Sequence, residues 1–325
     1  MAEYINIRGQ SIEVVASDPA NPTLGQIWYN STSNTLKGEG FQAAAWATGN
    51  NMNTATYDLG GCGTQTAGLA FGGLIAVPAP ARTTATEEYD GTNWTSGGSL
   101  PAAKGSLGSC GTQTAGLGFG GIIGPPSTNT ASTEEYDGAT WTTGGNLGTA
   151  RHQLGAAGIQ TAALGFGGAS NPTTFTNATE EYDGTSWTVG GTLVTARNLI
   201  EGAGTQTAGL GFGGNIPPQT GATEHYDGTS WTSVPGVLNT IKVNMGSAGT
   251  QIAAIKFGGE TPNSAATELY NGTSWTSTTN MSTARNSLAG AGTQSSALAF
   301  GGSPVTGATE EFTGAGPVTK TITAS

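Results

Sequence analysis

Six acids and five bases recur at fixed places in this 325-residue sequence, and they are the first candidates for chemistry. The acids are Glu87, Glu134, Glu180, Glu224, Glu268 and Glu310. The bases are Lys104, Arg151, Arg197, Lys242 and Arg285, with Thr56 at the equivalent place nearest the start. Six carboxylates on one ring would bind a cation. The alternative is a set of structural ion pairs, base to acid. The joint recurrence of the two columns favours the pairs, because buried charges need partners.

Other chemistry is sparse. His152 and His225 stand at different repeat positions, so they do not form a metal site. Cys62 and Cys110 stand at equivalent positions, where the other copies carry Ala157, Ala203, Ala248 and Ala291. That column reads as a small buried residue near an axis, with a disulfide between neighbouring units as the minority alternative. No Ser-His-Asp set, phosphate loop or dinucleotide fingerprint occurs. Arg151, Arg197 and Arg285 share one scaffold column, so they do not read as a carboxylate-binding trio. No catalytic residue, metal or cofactor is expected, and the chain is not expected to be an enzyme.

The elements that position these residues come from an internal repeat. Phe71, Phe119, Phe166, Phe212, Phe257 and Phe300 each precede Gly-Gly, at intervals of 43 to 48 residues. Trp46, Trp94, Trp141, Trp187, Trp231 and Trp275 keep nearly the same period. A period in the mid-forties indicates a propeller or a solenoid. One unit holds short apolar runs such as Thr114–Phe119, a TEEY run at 133–136, an Asp137-Gly138 turn signal and a run from Trp141. Four short strands per unit and no helical period describe a propeller blade. Glycine numbers 55 and proline 14, while charged residues are only 10%. That composition excludes a coiled coil, and Gly at every third position, as collagen needs, is absent. A net charge of −11 gives no basic footprint for nucleic acid or for an anionic membrane. No apolar run is long enough for membrane insertion, and no secretory signal precedes the repeats.

The unit resembles the kelch repeat, on Gly120-Gly121, Tyr136 and Trp141 in the second copy and their equivalents elsewhere. The sixth copy departs, with Phe312 for Tyr and Pro317 for Trp. The first copy begins at the Trp46 strand without a preceding Glu-Glu-Tyr run. The expected fold is therefore all-β: a six-bladed kelch-like propeller of four-stranded blades. Residues 43–49 would complete the last blade and leave no open edge. The rival closure uses the C-terminal strand from Pro317 to Ala324. The expected boundaries are 1–40 for an N-terminal β adaptor, 41–316 for the propeller and 317–325 for a C-terminal strand or arm.

The interval from Phe to the first Glu shrinks from 16 residues in the first copy to 10 in the sixth, so the loop after Gly-Gly varies. Alternating strand directions put these loops on one face, and binding residues concentrate on loops held by rigid scaffolds. The candidates on that face are Ile75, Pro78, Ile122, Pro126, Asn171, Phe175 and Gln219, with Ile75, Ile122 and Phe175 expected to be exposed. Neutral loop drift is the alternative.

Residues 1–40 lie outside the repeat. GQIWYNSTSNTLKGEG reads as a hairpin of Ile27–Asn30 and Thr35–Lys37. This stretch resembles the N-terminal segment of bacteriophage tail-fibre and related virion proteins, notably of marine phages, and Gly314 to Ser325 resembles their ends. The resemblance implies a virion structural protein made in the host cytoplasm and present in several copies. Trp28 and Tyr29 would attach it to other virion proteins, while the outer domain meets a host-surface glycan or receptor. Capsid or tail decoration without a receptor role, and a glycan-active propeller enzyme, are the alternatives.

Overall fold

The computed structural model describes residues 12–76, 80–171, 174–260 and 262–322. Among them every regular element is a β-strand. The chain divides into two compact units. One is built from residues before Ala45 and after Thr313, and the other runs from Ala45 to Thr313.

Among the described residues the larger unit contains six four-stranded antiparallel sheets, one per repeat. In the second copy the strands are Gly108–Thr112, Ala115–Phe119, Thr133–Tyr136 and Trp141–Thr143, in that spatial order. Each sheet thus has an inner, second, third and outer strand. The sixth sheet is completed from the other end of the chain. Ala45–Gly49 pairs with Thr309–Thr313, and Trp46 lies opposite Phe312.

The strand residues are chosen for close packing between sheets. On the second strand Phe71, Phe119, Phe166, Phe212, Phe257 and Phe300 are all at most 1% exposed. Each ring meets a tryptophan of the adjacent sheet at 4.7 to 5.1 Å between centroids, in six contacts from Phe71–Trp141 round to Phe300–Trp94. These tilted and edge-on geometries are the favoured ones for aromatic pairs. The sheets approach so closely that glycine is required on the facing strand. A Cβ at Gly118 would lie 2.7 Å from the Phe71 ring.

The turn between third and outer strands spans four residues. In the second copy Asp137 Oδ1 accepts the N–H groups of Ala139 and Thr140, and Gly138 takes φ +91°. The Asp-Gly signal marks this turn, with the carboxylate as an internal cap.

The smaller unit is a four-stranded sheet. Glu13–Val15 pairs in parallel with Ile27–Asn30, which pairs antiparallel with Thr35–Gln42. Its last strand, Gly316–Thr321, pairs antiparallel with Thr35–Gln42. The C-terminal strand therefore belongs with the N-terminal hairpin, and the sixth repeat sheet uses Ala45–Gly49.

Candidate binding face and its buried polar support

The loops after Gly-Gly lie together with the segments that lead into the inner strands. Tyr57 bridges to Leu74, His152 to Ala169, Asn198 to Asn215 and Asn286 to Ser303. Lys104–Gly105 pairs with Ile122–Ile123, and Glu260 N–H donates to the Val243 carbonyl. In all six copies the variable loop is thus pinned at its root.

This pinning changes the expected exposure. Leu74–Ala76 forms a small hairpin with Pro80–Arg82, so Ile75 is half-buried opposite Ala81. Ile122 is half-buried between Gly105 and Asn129. Phe175 pairs with Ala169 and is half-buried as well. The expected exposed apolar side chains are therefore not free, because each loop folds back as a local hairpin. Pro126 and Asn171 are exposed, and Asn171 Oδ1 accepts the Thr174 N–H at 2.8 Å. Gln219 is half-buried and bridges to Asn215. Pro78 lies outside the described residues. Arg82 joins two neighbouring loops, donating to the Gly124 carbonyl and to Ser127 Oγ.

Below this face runs the column of charged pairs. Lys104 pairs with Glu134, Arg151 with Glu180 at 3.0 Å, Arg197 with Glu224 at 2.9 Å and Arg285 with Glu310 at 3.2 Å. All four cations are 0% exposed. The glutamates have a second task. Glu180, Glu224 and Glu310 each accept a backbone N–H, from Gly148, Val194 and Ser282. One carboxylate therefore neutralises the cation and holds the connection between successive sheets. Burial pushes the Arg151, Arg197 and Arg285 guanidinium pKa values down, and the paired glutamates oppose that shift.

The fifth pair differs from the expected one. Glu268 is met by Lys256 at 2.9 Å rather than through the expected Lys242, whose ammonium donates to the Pro262 carbonyl. Lys256 stands immediately before Phe257, where other copies have only Ala or Gly. Its amine reaches the carboxylate from the second strand, and a second cation there would be repelled. Burial lowers the Lys256 pKa, and nearby Lys242 lowers it further.

Three more columns hold neighbouring sheets together. Six tryptophan Nε1 groups donate to a threonine hydroxyl of the adjacent sheet at 2.9 to 3.1 Å, from Trp141–Thr86 to Trp94–Thr309. Six glutamines, Gln65, Gln113, Gln160, Gln206, Gln251 and Gln294, each donate to two carbonyls of the neighbouring sheet at 2.5 to 3.1 Å. Tyr89, Tyr136, Tyr182 and Tyr226 donate to Glu311, Glu88, Glu135 and Glu181 at 2.5 to 2.6 Å. Tyr270 meets His225 instead, at 3.0 Å. In that register Phe312, which lacks a hydroxyl, falls to Leu269, which lacks a carboxylate. The tryptophan and tyrosine columns mark the repeat in the sequence; the glutamine occupies the same place in all six copies and is an equally regular signal.

The inner strands surround a cavity of about 220 Å³ that is lined by segments of all six copies. Cys62 and Cys110 line it as free, buried thiols, and burial pushes Cys62 up to about 12. Glu201 replaces the glycine or alanine of the other copies there, and Ser247 Oγ donates to it at 3.2 Å. Burial raises its carboxyl from 4.5 to about 8, and the serine bond opposes this. At one end of the inner strands Asp58, Ser106, Gln153, Leu199, Asn244 and Ser287 all have φ of 52° to 55°. Backbone N–H groups pass from one to the next, as in Ser106 to Asp58 and Asp58 to Ser287. Burial raises the Asp58 carboxyl, and bonds from Ser287 and Ser106 oppose the shift.

The histidines serve packing. His152 is 8% exposed beside the loop root, and burial lowers its pKa. Burial also lowers His225. In the smaller unit Trp28 is 0% exposed, with Nε1 donating to Asp18 at 3.0 Å. It is a core residue and offers no docking surface, contrary to the sequence expectation. The alternation of the hairpin turns Trp28 inward. Tyr29 is half-buried and donates to Asn34 Oδ1. Asp18 also takes bonds from Lys37 and Asn30; Lys37 contributes most to holding its carboxyl at about 2.

Compared with known protein families and curated proteins, the chain matches none.

Proposed function

We propose that this chain is a non-enzymatic recognition module of a virion appendage, built on a closed six-bladed, kelch-like propeller. The observation that carries the binding role is the gathering of six unequal loops beside the same six strand roots. A rigid scaffold with variable loops at one end is a recognition architecture. Closure is supported by the bonds between first and last sheets, which repeat those elsewhere: Trp94 to Thr309, Tyr89 to Glu311 and Gln65 to Ala297. The virion setting rests on the resemblance carried by Gly25 to Gly40. Contacts to other virion proteins would use exposed apolar side chains of the smaller unit, such as Val14, Leu24 and Phe41.

The test is adsorption of the purified chain to host cells or host-surface glycans. Replacing the exposed tip Gly124–Ser127 by a short glycine-serine turn should lower binding at least tenfold with unchanged melting. Immunogold labelling of particles should mark fibre or tail tips. Absence of cell or glycan binding, with label over the capsid or tail tube, would leave decoration as the role. The half-burial of Ile75, Ile122 and Phe175 favours that second reading.

A further inference from the structure

Among the described residues, one carboxylate of the six is buried without a cationic side chain beside it. Glu87 is 3% exposed, as deep as its paired equivalents. The other copies deliver a cation to this carboxylate from one of two positions. Lys104, Arg151, Arg197 and Arg285 occupy the position of Thr56, and Lys256 occupies that of Ala70. In the first copy both positions are neutral and short.

Both line one small cavity with Glu87. Its volume is about 10 Å³, and Thr54, Thr56, Ala70, Gly72, Ala85 and Glu87 are among its walls. Thr56 is 2% exposed, and its Oγ1 has no hydrogen-bond partner among the described residues. The backbone here is the one that receives a guanidinium elsewhere. Arg151 donates to the carbonyls of Gly167, Ala178 and Gly165, and Arg285 to those of Gly301, Ala308 and Ala299. The repeat register puts Gly72, Ala85 and Ala70 at those places.

Glu87 accepts N–H bonds from Asn53 and Thr54, which carry no net charge. The same cradle does not displace a cation in the fifth copy. Glu268 accepts the N–H groups of Asn239 and Thr240 and still pairs with Lys256. A buried charge lacking a counter-charge is strongly disfavoured.

We propose that this cavity binds a dehydrated monovalent metal cation, sodium or potassium, in the place that a guanidinium or ammonium takes in the other copies. A carboxylate, a hydroxyl and carbonyls are hard oxygen donors suited to such ions. One carboxylate balances one positive charge, whereas a divalent ion would bury an excess. The space admits a body about the size of one water molecule, too small for an organic cation.

The test is thermal unfolding of the full chain in sodium, potassium or choline chloride at equal ionic strength. Sodium or potassium should raise the melting temperature by roughly 2–4 °C over choline. Thr56→Arg and Glu87→Gln should each abolish the difference, the first by supplying the cation covalently and the second by removing the charge. Ala70→Lys, patterned on Lys256, replaces Thr56→Arg if that variant does not fold. Crystals soaked in thallium(I) should show an anomalous peak between Glu87 and Thr56 Oγ1. Equal melting in all three salts overturns the proposal. So does a difference that persists in the variants, or a thallium-soaked crystal without the peak, which would leave a water site.

Discussion

At the scale of single residues, one side chain often discharges two obligations. Glu224 neutralises Arg197 and also holds the Val194 N–H. Removing the cation leaves that carboxylate buried and unpaired, a change that costs about 3–5 kcal/mol in comparable pairs. Arg197→Ala should therefore lower unfolding free energy by that order in denaturant titration and leave host-surface binding by the folded fraction unchanged. Lost binding with unaltered stability would mean that Arg197 contacts the ligand. Glu201 behaves in the opposite sense to a paired acid. Its carboxyl is raised from 4.5 to about 8, chiefly by burial. The folded state therefore holds the proton more tightly than the unfolded chain. Its contribution is present in full below the ordinary glutamate range and is lost as pH rises through about 8. Glu201→Gln cannot ionise, so the wild-type melting temperature should fall relative to the variant between pH 5 and pH 9. A constant difference across that range would refute the assignment.

At the scale of elements, the order of the second, third and outer strands is readable because each of them carries its own marker. Phe-Gly-Gly ends the second strand, Thr-Glu opens the third and Trp opens the outer one. The charged columns were readable for the same reason, since both keep fixed spacing. Lys256 was not, because it stands alone in a column of Ala and Gly and reaches Glu268 from another strand. The varying Phe-to-Glu interval marks these loops as a face but does not show how they fold. Composition does not reveal that Leu74, Ala169 and Asn215 pair with the neighbouring strand roots. The motif points to Trp28 as an attachment residue, but a motif does not say which way a strand faces. Phe312 is the sixth copy's departure from the tyrosine column. Beside Leu269 it is a matched loss, since a tyrosine hydroxyl there would lack the carboxylate its equivalents use.

At the scale of the whole molecule, the boundary at Ala45 separates two cores, and the terminal segments share one of them. A fragment of residues 45–313 retains all six four-stranded sheets and should unfold in one cooperative transition. A fragment of residues 50–313 lacks the outer strand of the sixth sheet and leaves Thr309–Thr313 as an open edge. It should melt lower and self-associate in sedimentation; equal behaviour of the two fragments would show that the Trp46 strand contributes nothing. That strand also imposes a schedule. Ala45–Gly49 leaves the ribosome before any of the other strands of its unit, and its partner at Thr309–Thr313 is the last of them to emerge. At about 5–20 residues per second, the early strand waits roughly 15–50 s for its mate. During that interval a second nascent copy on the same messenger is the nearest competing template. Translation speed across the later repeats thus sets how long Ala45–Gly49 stays open to a strand from another copy.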